Sequence, residues 1–148
     1  MVDERFRKAF PGISGDVQVT SPETPEYNCF AWVVGRTDEW WEPGRTWPID
    51  TSSDWTLDAL SRAFESQGFR VCTDATPEDG FEKIAIYCDQ DGEPTHAARL
   101  LPNGRWSSKV GSWEDVEHTL QDLAGVHPAY GAVVRHMTRP VAPEPPPS

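Results

Sequence analysis

The spacing of apolar residues predicts a short helix in the first quarter of the chain. Residues 29–34 form a dense apolar run that begins with Cys29, and Asn28 and Gly35 stand at its two ends. Asparagine is a favoured N-cap residue, and glycine commonly follows the last turn of a helix. We therefore expect a short buried helix that begins near Cys29. A buried strand is the alternative, because so short a run does not separate the two periodicities.

A second helix is predicted near the middle of the chain. Its apolar residues recur at helical spacing and are Leu57, Leu60, Ala63 and Phe64. Ser53 or Asp54 is the expected N-cap, and Gly68 is expected to end the helix. Residues 69–74 then predict a strand.

Three strands joined by tight turns are predicted next. They cover residues 81–89, 95–101 and 105–111. The dipeptides Asp91-Gly92 and Asn103-Gly104 lie between them, and such pairs favour two-residue primed hairpin turns. The pattern therefore predicts an antiparallel meander with residues 95–101 as its middle strand.

The rest of the chain predicts a helix and a final strand. Ser112 with Asp115 three positions later resembles a capping box, which marks a helix start. The apolar side of that helix would comprise Trp113, Val116, Leu120 and Leu123. Residues 130–137 predict the last strand. Helices combined with antiparallel strands place the protein in the α+β class.

The length of 148 residues predicts one domain, over residues 1–138. Residues 139–148 read RPVAPEPPPS, half of which is proline. A segment with so little apolar surface to bury is expected to be a disordered tail.

The charge and the cysteine content of the chain exclude several classes of function. The chain has 13 basic and 24 acidic residues, a formal net charge of −11. Its basic residues are scattered, whereas nucleic acids are bound by clustered lysine and arginine, so nucleic acid is excluded as a partner. No apolar segment matches a signal peptide or a membrane span. The three cysteines fit no disulfide or zinc framework, so we expect no metal and a reduced cytoplasmic protein, with non-classical export left open.

Cys29 is the candidate nucleophile. It would lie in the first turn of a helix, where unsatisfied N–H groups and the positive dipole end favour a thiolate. We therefore expect its pKa to lie below the model value of about 8.5. The other reading is that Cys29 is a buried core residue, since free cysteine is often fully buried. Cys72 and Cys88, on predicted strands, are expected to be inert packing residues.

His96 is the candidate base. The chain has four histidines, His96, His118, His127 and His136. His96 begins the middle strand of the predicted meander, where a rigid backbone can aim the imidazole, whereas His118 would lie on the surface of a helix. The neighbouring strand offers three polar residues that could orient the ring, Ser107, Ser108 and Lys109. A structural histidine is the alternative reading for His96.

Several segments together resemble a family of small bacterial proteins of unassigned activity. They are Tyr27 to Trp32 with Gly35, the tryptophan-rich residues 40–48, Glu82 to Tyr87, His96 to Arg99 and Trp106 to Gly111. The likeness runs over most of residues 26–136, and it implies no particular reaction.

The order of polar residues is more remotely similar to papain-like cysteine hydrolases of the NlpC type. Those enzymes carry a cysteine at the start of a helix, a histidine that opens a strand, and a polar residue on the next strand. Cys29 and His96 match that order, and Ser108 follows His96 by twelve positions. The position before the cysteine is usually aspartate in those enzymes and is Asn28 here. The resemblance implies a papain-like α+β fold.

The function implied is a thiol hydrolase or transferase of the peptidase, amidase or deamidase type. Cys29 would attack an amide or ester carbonyl, and His96 would take and return the proton. Ser107 or Ser108 would orient the imidazole, and the backbone N–H of Cys29 would help to hold the oxyanion. No dissociable cofactor is implied.

Two other functions remain open at this stage. One is a non-catalytic protein-binding module on the same fold, of the immunity or adaptor kind, which engages a basic partner. The other is the toxin domain of a bacterial effector. Under the enzyme reading the substrate-binding residues would be Tyr27, Asn28, Trp40 and Trp41. Protein or peptide is the expected partner, with no membrane contact.

Overall fold

The computed structural model describes residues 4–11, 13, 17–21, 24, 27–33, 56–73, 75–110, 114–125 and 129–140. Within these ranges no helix is long and apolar enough to cross a membrane.

The described residues form an antiparallel sheet of seven strands with short helices on both faces. The helices are α1 (Glu4–Ala9), α2 (Cys29–Val33), α3 (Leu57–Glu65) and a 3₁₀ helix (Leu120–Leu123). The strands are β1 (Gln18–Ser21), β2 (Arg70–Cys72), β3 (Phe81–Cys88), β4 (Pro94–Leu100), β5 (Trp106–Lys109), β6 (Asp115–His118) and β7 (Ala132–Pro140). Their order across the sheet is β1-β6-β5-β4-β3-β7-β2. The α+β class is therefore confirmed.

Each face of the sheet carries its own apolar cluster, because successive side chains of a strand point to opposite faces. The face covered by α2 and α3, the α2 face, presents Ile84, Ile86, Ala97 and Met137. The face covered by α1 and the 3₁₀ helix, the α1 face, presents Ala85, Tyr87, Ala98, Trp106 and Val116. This division decides which polar side chains can meet.

The first predicted helix is confirmed as α2. Asn28 caps it, since its side-chain oxygen accepts a hydrogen bond from the backbone N–H of Ala31 at 3.1 Å. The helix begins at Cys29, whose side chain is buried with Phe30 in the cluster on the α2 face. Gly35, the predicted end of the helix, lies outside the described residues.

The second predicted helix is confirmed as α3, but its predicted cap is wrong. Thr56 is extended, and its hydroxyl accepts from the N–H of Ala59 at 3.1 Å, so the helix begins at Leu57 rather than near residue 53. Ser53 and Asp54 lie outside the described residues. Gly68 follows the helix with φ +93°, as a glycine after a helix C-terminus does. The strand predicted over residues 69–74 is the shorter β2.

The meander is confirmed as β3, β4 and β5, but its turns are not the two-residue type. Leu101 N–H donates to the carbonyl of Arg105 at 2.8 Å, which closes a three-residue loop. Asp89 N–H donates to the carbonyl of Glu93 at 2.9 Å and closes another. A two-residue type I′ turn needs positive φ at both of its central residues. Among the described residues only glycines have positive φ, so Asp91 and Asn103 do not meet this requirement.

The helix predicted after Ser112 is wrong over residues 115–118, which form β6. This strand pairs with β1 on one side and β5 on the other, and the two-sided pairing outweighs the helical pattern. Asp115 does not cap a helix, because its Oδ2 accepts from the hydroxyl of Tyr27 at 2.8 Å. The 3₁₀ helix follows β6, and Asp122 accepts there from the N–H of Thr119 at 2.8 Å. Ser112 and Trp113 lie outside the described residues.

The predicted last strand is confirmed as β7, which extends further than expected. It continues through Pro140, and Arg139 forms an ion pair with Glu82 at 2.6 Å. Arg139 also donates to the carbonyl of Gln67 at 3.0 Å. Residues 139 and 140, which the sequence pattern assigns to the tail, thus pair with β3. The remaining residues of the predicted tail, 141–148, lie outside the described part.

Candidate functional site

Two histidines and a serine form a buried hydrogen-bonded chain on the α1 face. His96 Nε2 lies 2.8 Å from Ser108 Oγ, which lies 2.6 Å from His118 Nε2. His118 Nδ1 in turn lies 2.6 Å from the carbonyl oxygen of Thr119. The three side chains come from the neighbouring strands β4, β5 and β6, and all three are fully buried.

The carbonyl at the end of this chain fixes its protons. A carbonyl oxygen only accepts, so His118 carries its proton on Nδ1 and its Nε2 accepts from the hydroxyl of Ser108. The hydroxyl oxygen of Ser108 then accepts from the Nε2–H of His96. His96 Nδ1 is left with a lone pair, and it has no hydrogen-bond partner in the described structure. The tautomer of His96 is inferred from these hydrogen bonds. It leaves Nδ1 able to accept a proton, as a general base must.

Burial keeps both imidazoles neutral. Desolvation lowers the pKa of His118 to about 4, although the carbonyl of Thr119 and the carboxylate of Asp122 oppose the shift. Desolvation also lowers the pKa of His96 well below its usual value, and the neighbouring His118 adds to the shift. The ring of Tyr130 stacks on His96 at 4.0 Å between centroids and helps to exclude water. The group is therefore an uncharged polar network inside a core.

Cys29 is buried against the opposite, α2 face of the sheet. The residue is 6% exposed and belongs to the apolar cluster beneath α2. Burial raises the pKa of its thiol to about 12 and outweighs the N–H groups of Ala97 and Phe30 and the ammonium of Lys109, which lower it. The predicted low pKa is therefore wrong. A helix start favours a thiolate only where water or a strong partner offsets desolvation.

The strand register turns His96 and Ala97 to opposite faces of the sheet. His96 stands opposite Tyr87 and points to the α1 face, whereas the next residue, Ala97, stands opposite Ile86 and contacts the cluster that contains Cys29. Because His96 Nδ1 has no hydrogen-bond partner among the described residues, the thiol of Cys29 does not donate to it. The structure thus joins His96 to Ser108, and among the described residues no hydrogen bond joins Cys29 to His96.

The other predicted site residues have structural contacts. Ser107 stands opposite Arg99 in the β4–β5 register, on the face away from His96. Tyr27 is bonded to Asp115 on β6, and Asn28 caps α2. Trp40 and Trp41 lie outside the described residues.

Two buried groups were missed by the sequence reasoning. His118 was placed on a helix surface, yet the alternation of Val116 and His118 is the period of a half-buried strand and could have indicated β6. Lys109 is also fully buried, with its ammonium 5.3 Å from the centre of the Tyr27 ring. No sequence signal marks a buried lysine, since this residue type is normally exposed.

Residues 18–138 match the family model of a domain of unknown function, DUF7689. The chain belongs to this family. No curated protein and no solved structure matches the chain. The matched range contains Cys29, the histidine–serine chain and all seven strands apart from the end of β7. The DUF7689 match therefore identifies the whole sheet as the family's domain and assigns it no activity.

Two of the surface clefts along the described part of the sheet of this DUF7689 domain differ in their charged lining. One has a volume of about 660 Å³ and lies between the start of β3 and the end of β4, with Trp32 and Phe81 in its lining. The other, which we call the acidic cleft, has a volume of about 510 Å³. It lies between the β3–β4 hairpin and the start of β7, and its lining includes Cys88, Asp89, Asp91, Ala129, Ala132 and Val134. Among the described residues, no group of histidine, cysteine and acidic side chains is placed to hold a metal ion.

Proposed function

We propose that the protein is a non-catalytic protein-recognition module that binds a basic segment of a partner. The observation that carries the proposal is a surface excess of carboxylates that internal ion pairs do not neutralise. The formal net charge is −11. Such a field attracts basic partners and accelerates their encounter.

The basic side chains support this proposal because many are already paired. The basic side chains that form ion pairs, with N–O distances of 2.6 to 3.7 Å, are Arg5, Lys8, Lys83, Arg105, Arg135 and Arg139. By contrast, Asp89, Asp91 and Glu93 lie close together in the β3–β4 hairpin. Asp89 accepts two hydrogen bonds there from backbone N–H groups of its own loop. Among the described residues these carboxylates form no ion pair, so a basic partner would reach them without breaking one.

The surroundings of Cys29 favour recognition over catalysis. A nucleophilic cysteine needs a thiolate and a base within hydrogen-bond reach. Here burial raises the pKa of the thiol to about 12, and among the described residues His96 Nδ1 accepts no hydrogen bond from it. The residue instead fills the interface between α2 and β4.

The proposal predicts salt-dependent binding of a cationic peptide. We expect a fluorescein-labelled peptide that alternates lysine with alanine to bind, as measured by fluorescence anisotropy. Its Kd should rise at least about fivefold between about 50 mM and about 500 mM NaCl, because salt screens exposed charges. The same peptide with glutamate in place of lysine is the control and should not bind. Cys29→Ala should bind the lysine peptide like the wild type. Failure of the lysine peptide to bind at low salt would refute the proposal.

A second candidate function is a papain-like thiol hydrolase or transferase. One specific observation favours it, namely the tautomer of His96. Its Nε2–H donates to Ser108 Oγ, and its Nδ1 keeps a lone pair that can accept a proton, as a general base requires. In this candidate Cys29 gives its thiol proton to His96 Nδ1 and attacks a carbonyl carbon.

Alkylation of the three cysteines separates the two candidates. With limiting iodoacetamide near pH 6.5, the recognition module should be labelled first at Cys72, since Cys29 and Cys88 are buried and Cys72 is partly exposed. A pKa of about 12 leaves Cys29 about a thousandfold less thiolate than an ordinary thiol. Peptide mass spectrometry reads the order. If Cys29 reacts first, and reacts more slowly in His96→Ala, the hydrolase candidate replaces the recognition module.

A further inference from the structure

We infer that the acidic cleft is the docking site for this basic partner, and that it takes one lysine or arginine side chain from an extended segment. The inference rests on the proposed function and adds its location and ligand chemistry. The cleft combines three features, namely carboxylates at its rim, an apolar floor and a rigid backbone.

The rim carries a fixed negative charge. Asp89 Oδ1 accepts from the N–H groups of Asp91 and Glu93 at 2.9 and 3.0 Å, so its carboxylate is held by its own loop. Asp91 also lines the cleft, and no lysine or arginine does so among the described residues. A cation entering the cleft meets carboxylates whose charge is not already neutralised.

The floor suits the aliphatic stem of a basic side chain. Ala129, Ala132 and Val134 line it, and Val134 is 51% exposed. Lysine and arginine bury their methylene stems along apolar surface while the charged head stays near polar groups. Methylenes on this floor and an ammonium or guanidinium at the rim would satisfy both halves of such a side chain.

The backbone beneath the cleft is closely packed. Gly125 and Gly131 exchange two backbone hydrogen bonds of 2.8 Å. A Cβ on Gly131 would lie 2.0 Å from the carbonyl oxygen of Cys88, so only glycine permits this approach of the β7 entry to β3. The cleft is therefore formed by the fold itself, and little ordering would be required on binding.

Neighbouring cations do not cancel the rim charge. Arg135 is close enough to lower the pKa of the Cys88 thiol, although burial and Asp89 raise it overall. The guanidinium of Arg135, however, donates to Ser61 at 2.7 Å and lies 3.6 Å from Asp58, both of which belong to α3. It is thus turned towards the α2 face of the sheet.

The larger cleft is less suited to a basic ligand. Its lining includes Lys83 and Arg99, and its acidic Glu78 is paired with Lys83 at 3.2 Å. Glu82, also in the lining, is paired with Arg139 at 2.6 Å. A cation would find most of its carboxylates already neutralised, so charge complementarity favours the acidic cleft.

The test uses the lysine–alanine peptide and the full chain. The double variant Asp89→Asn/Asp91→Asn removes two charges and keeps a side-chain oxygen that can accept the loop hydrogen bonds. We expect its Kd for the peptide to rise about tenfold. The matched control Glu65→Gln/Asp79→Asn removes the same charge from α3 and the larger cleft and should change Kd less than about twofold.

A single substitution in the apolar floor tests the same docking site independently. Val134→Lys leaves both carboxylates in place and puts a competing cation over the floor, so it should also raise Kd about tenfold. Far-ultraviolet circular dichroism and the Tm verify folding of each variant. The wild type must bind the peptide for the cleft to be tested. If it binds, and neither the rim variant nor the floor variant weakens binding more than the control does, the acidic cleft is not the docking site. The proposed recognition function is unaffected by that result. Absence of wild-type binding would instead overturn the recognition module.

Discussion

Replacing Gly131 by alanine is expected to cost about 4 kcal/mol of unfolding free energy or more. Gly131 has φ +88°, where side chains are strained, and an added Cβ would lie 2.0 Å from the carbonyl oxygen of Cys88. That oxygen belongs to the backbone of a central strand and cannot move aside without breaking sheet pairing. Urea denaturation of wild type and variant measures the difference.

Gly92→Ala is the matched control for this prediction. Gly92 has φ +83°, nearly the same backbone strain, but a Cβ there would meet nothing within 4 Å. Its cost should be about 1 to 2 kcal/mol, the price of the left-handed conformation alone. Equal losses for the two variants would mean that the approach of Gly131 to Cys88 is not a constraint.

We expect the second large loss of stability from removal of the Ser108 hydroxyl. Ser108→Ala should lower the free energy of unfolding by about 3 kcal/mol, because it deprives two buried imidazoles of their partner. His96 would keep an Nε2–H with nothing to accept it, and His118 Nε2 would lose its donor. Denaturation at neutral pH, where both rings are neutral, isolates this loss from any protonation.

Ser107→Ala provides the control for the same chemical change. Ser107 is the neighbouring residue of β5 and points to the other face of the sheet, away from both histidines. Its replacement should cost less than about 1 kcal/mol. If the two variants lose the same stability, the histidine–serine chain does not hold β4, β5 and β6 together.

A stabilising role suits the geometry of this network. A buried polar chain in which each member is hydrogen-bonded specifies one arrangement of its strands, since a shifted register leaves polar groups unpaired. His96, Ser108 and His118 lie on three adjacent strands, so their bonds fix the pairing of β4 with β5 and of β5 with β6. We therefore interpret the network as a determinant of sheet register.

Local signals in the sequence determined much of the meander and the start of α2. Gly92 and Gly104 mark both hairpins because the chain needs positive φ there, and glycine adopts it without strain. Asn28 caps α2 through its own side chain, three residues from its partner. The contact of His96 with Ser108 was also foreseen, since adjacent strands joined by a short turn bring one face of each together.

Non-local pairing decided the segment after residue 114. The residues of β6 carry apolar and acidic positions that also fit a helix, and propensity alone favoured that state. In the fold this segment is a strand between β1 and β5, and those hydrogen bonds come from partners far away along the chain. Tertiary pairing of this kind overrides a local pattern.

The sequence by itself favoured a helix beginning near Cys29, placed His96 on a middle strand, and offered Ser107 or Ser108 as its partner. It did not determine which face of the sheet the helix covers. Alternation puts His96 and Ala97 on opposite faces, but it does not decide which of the two faces α2 packs against. In the tertiary structure α2 packs on the face that carries Ala97, so the thiol of Cys29 is buried in the cluster on that face, and the imidazole of His96 is hydrogen-bonded to Ser108.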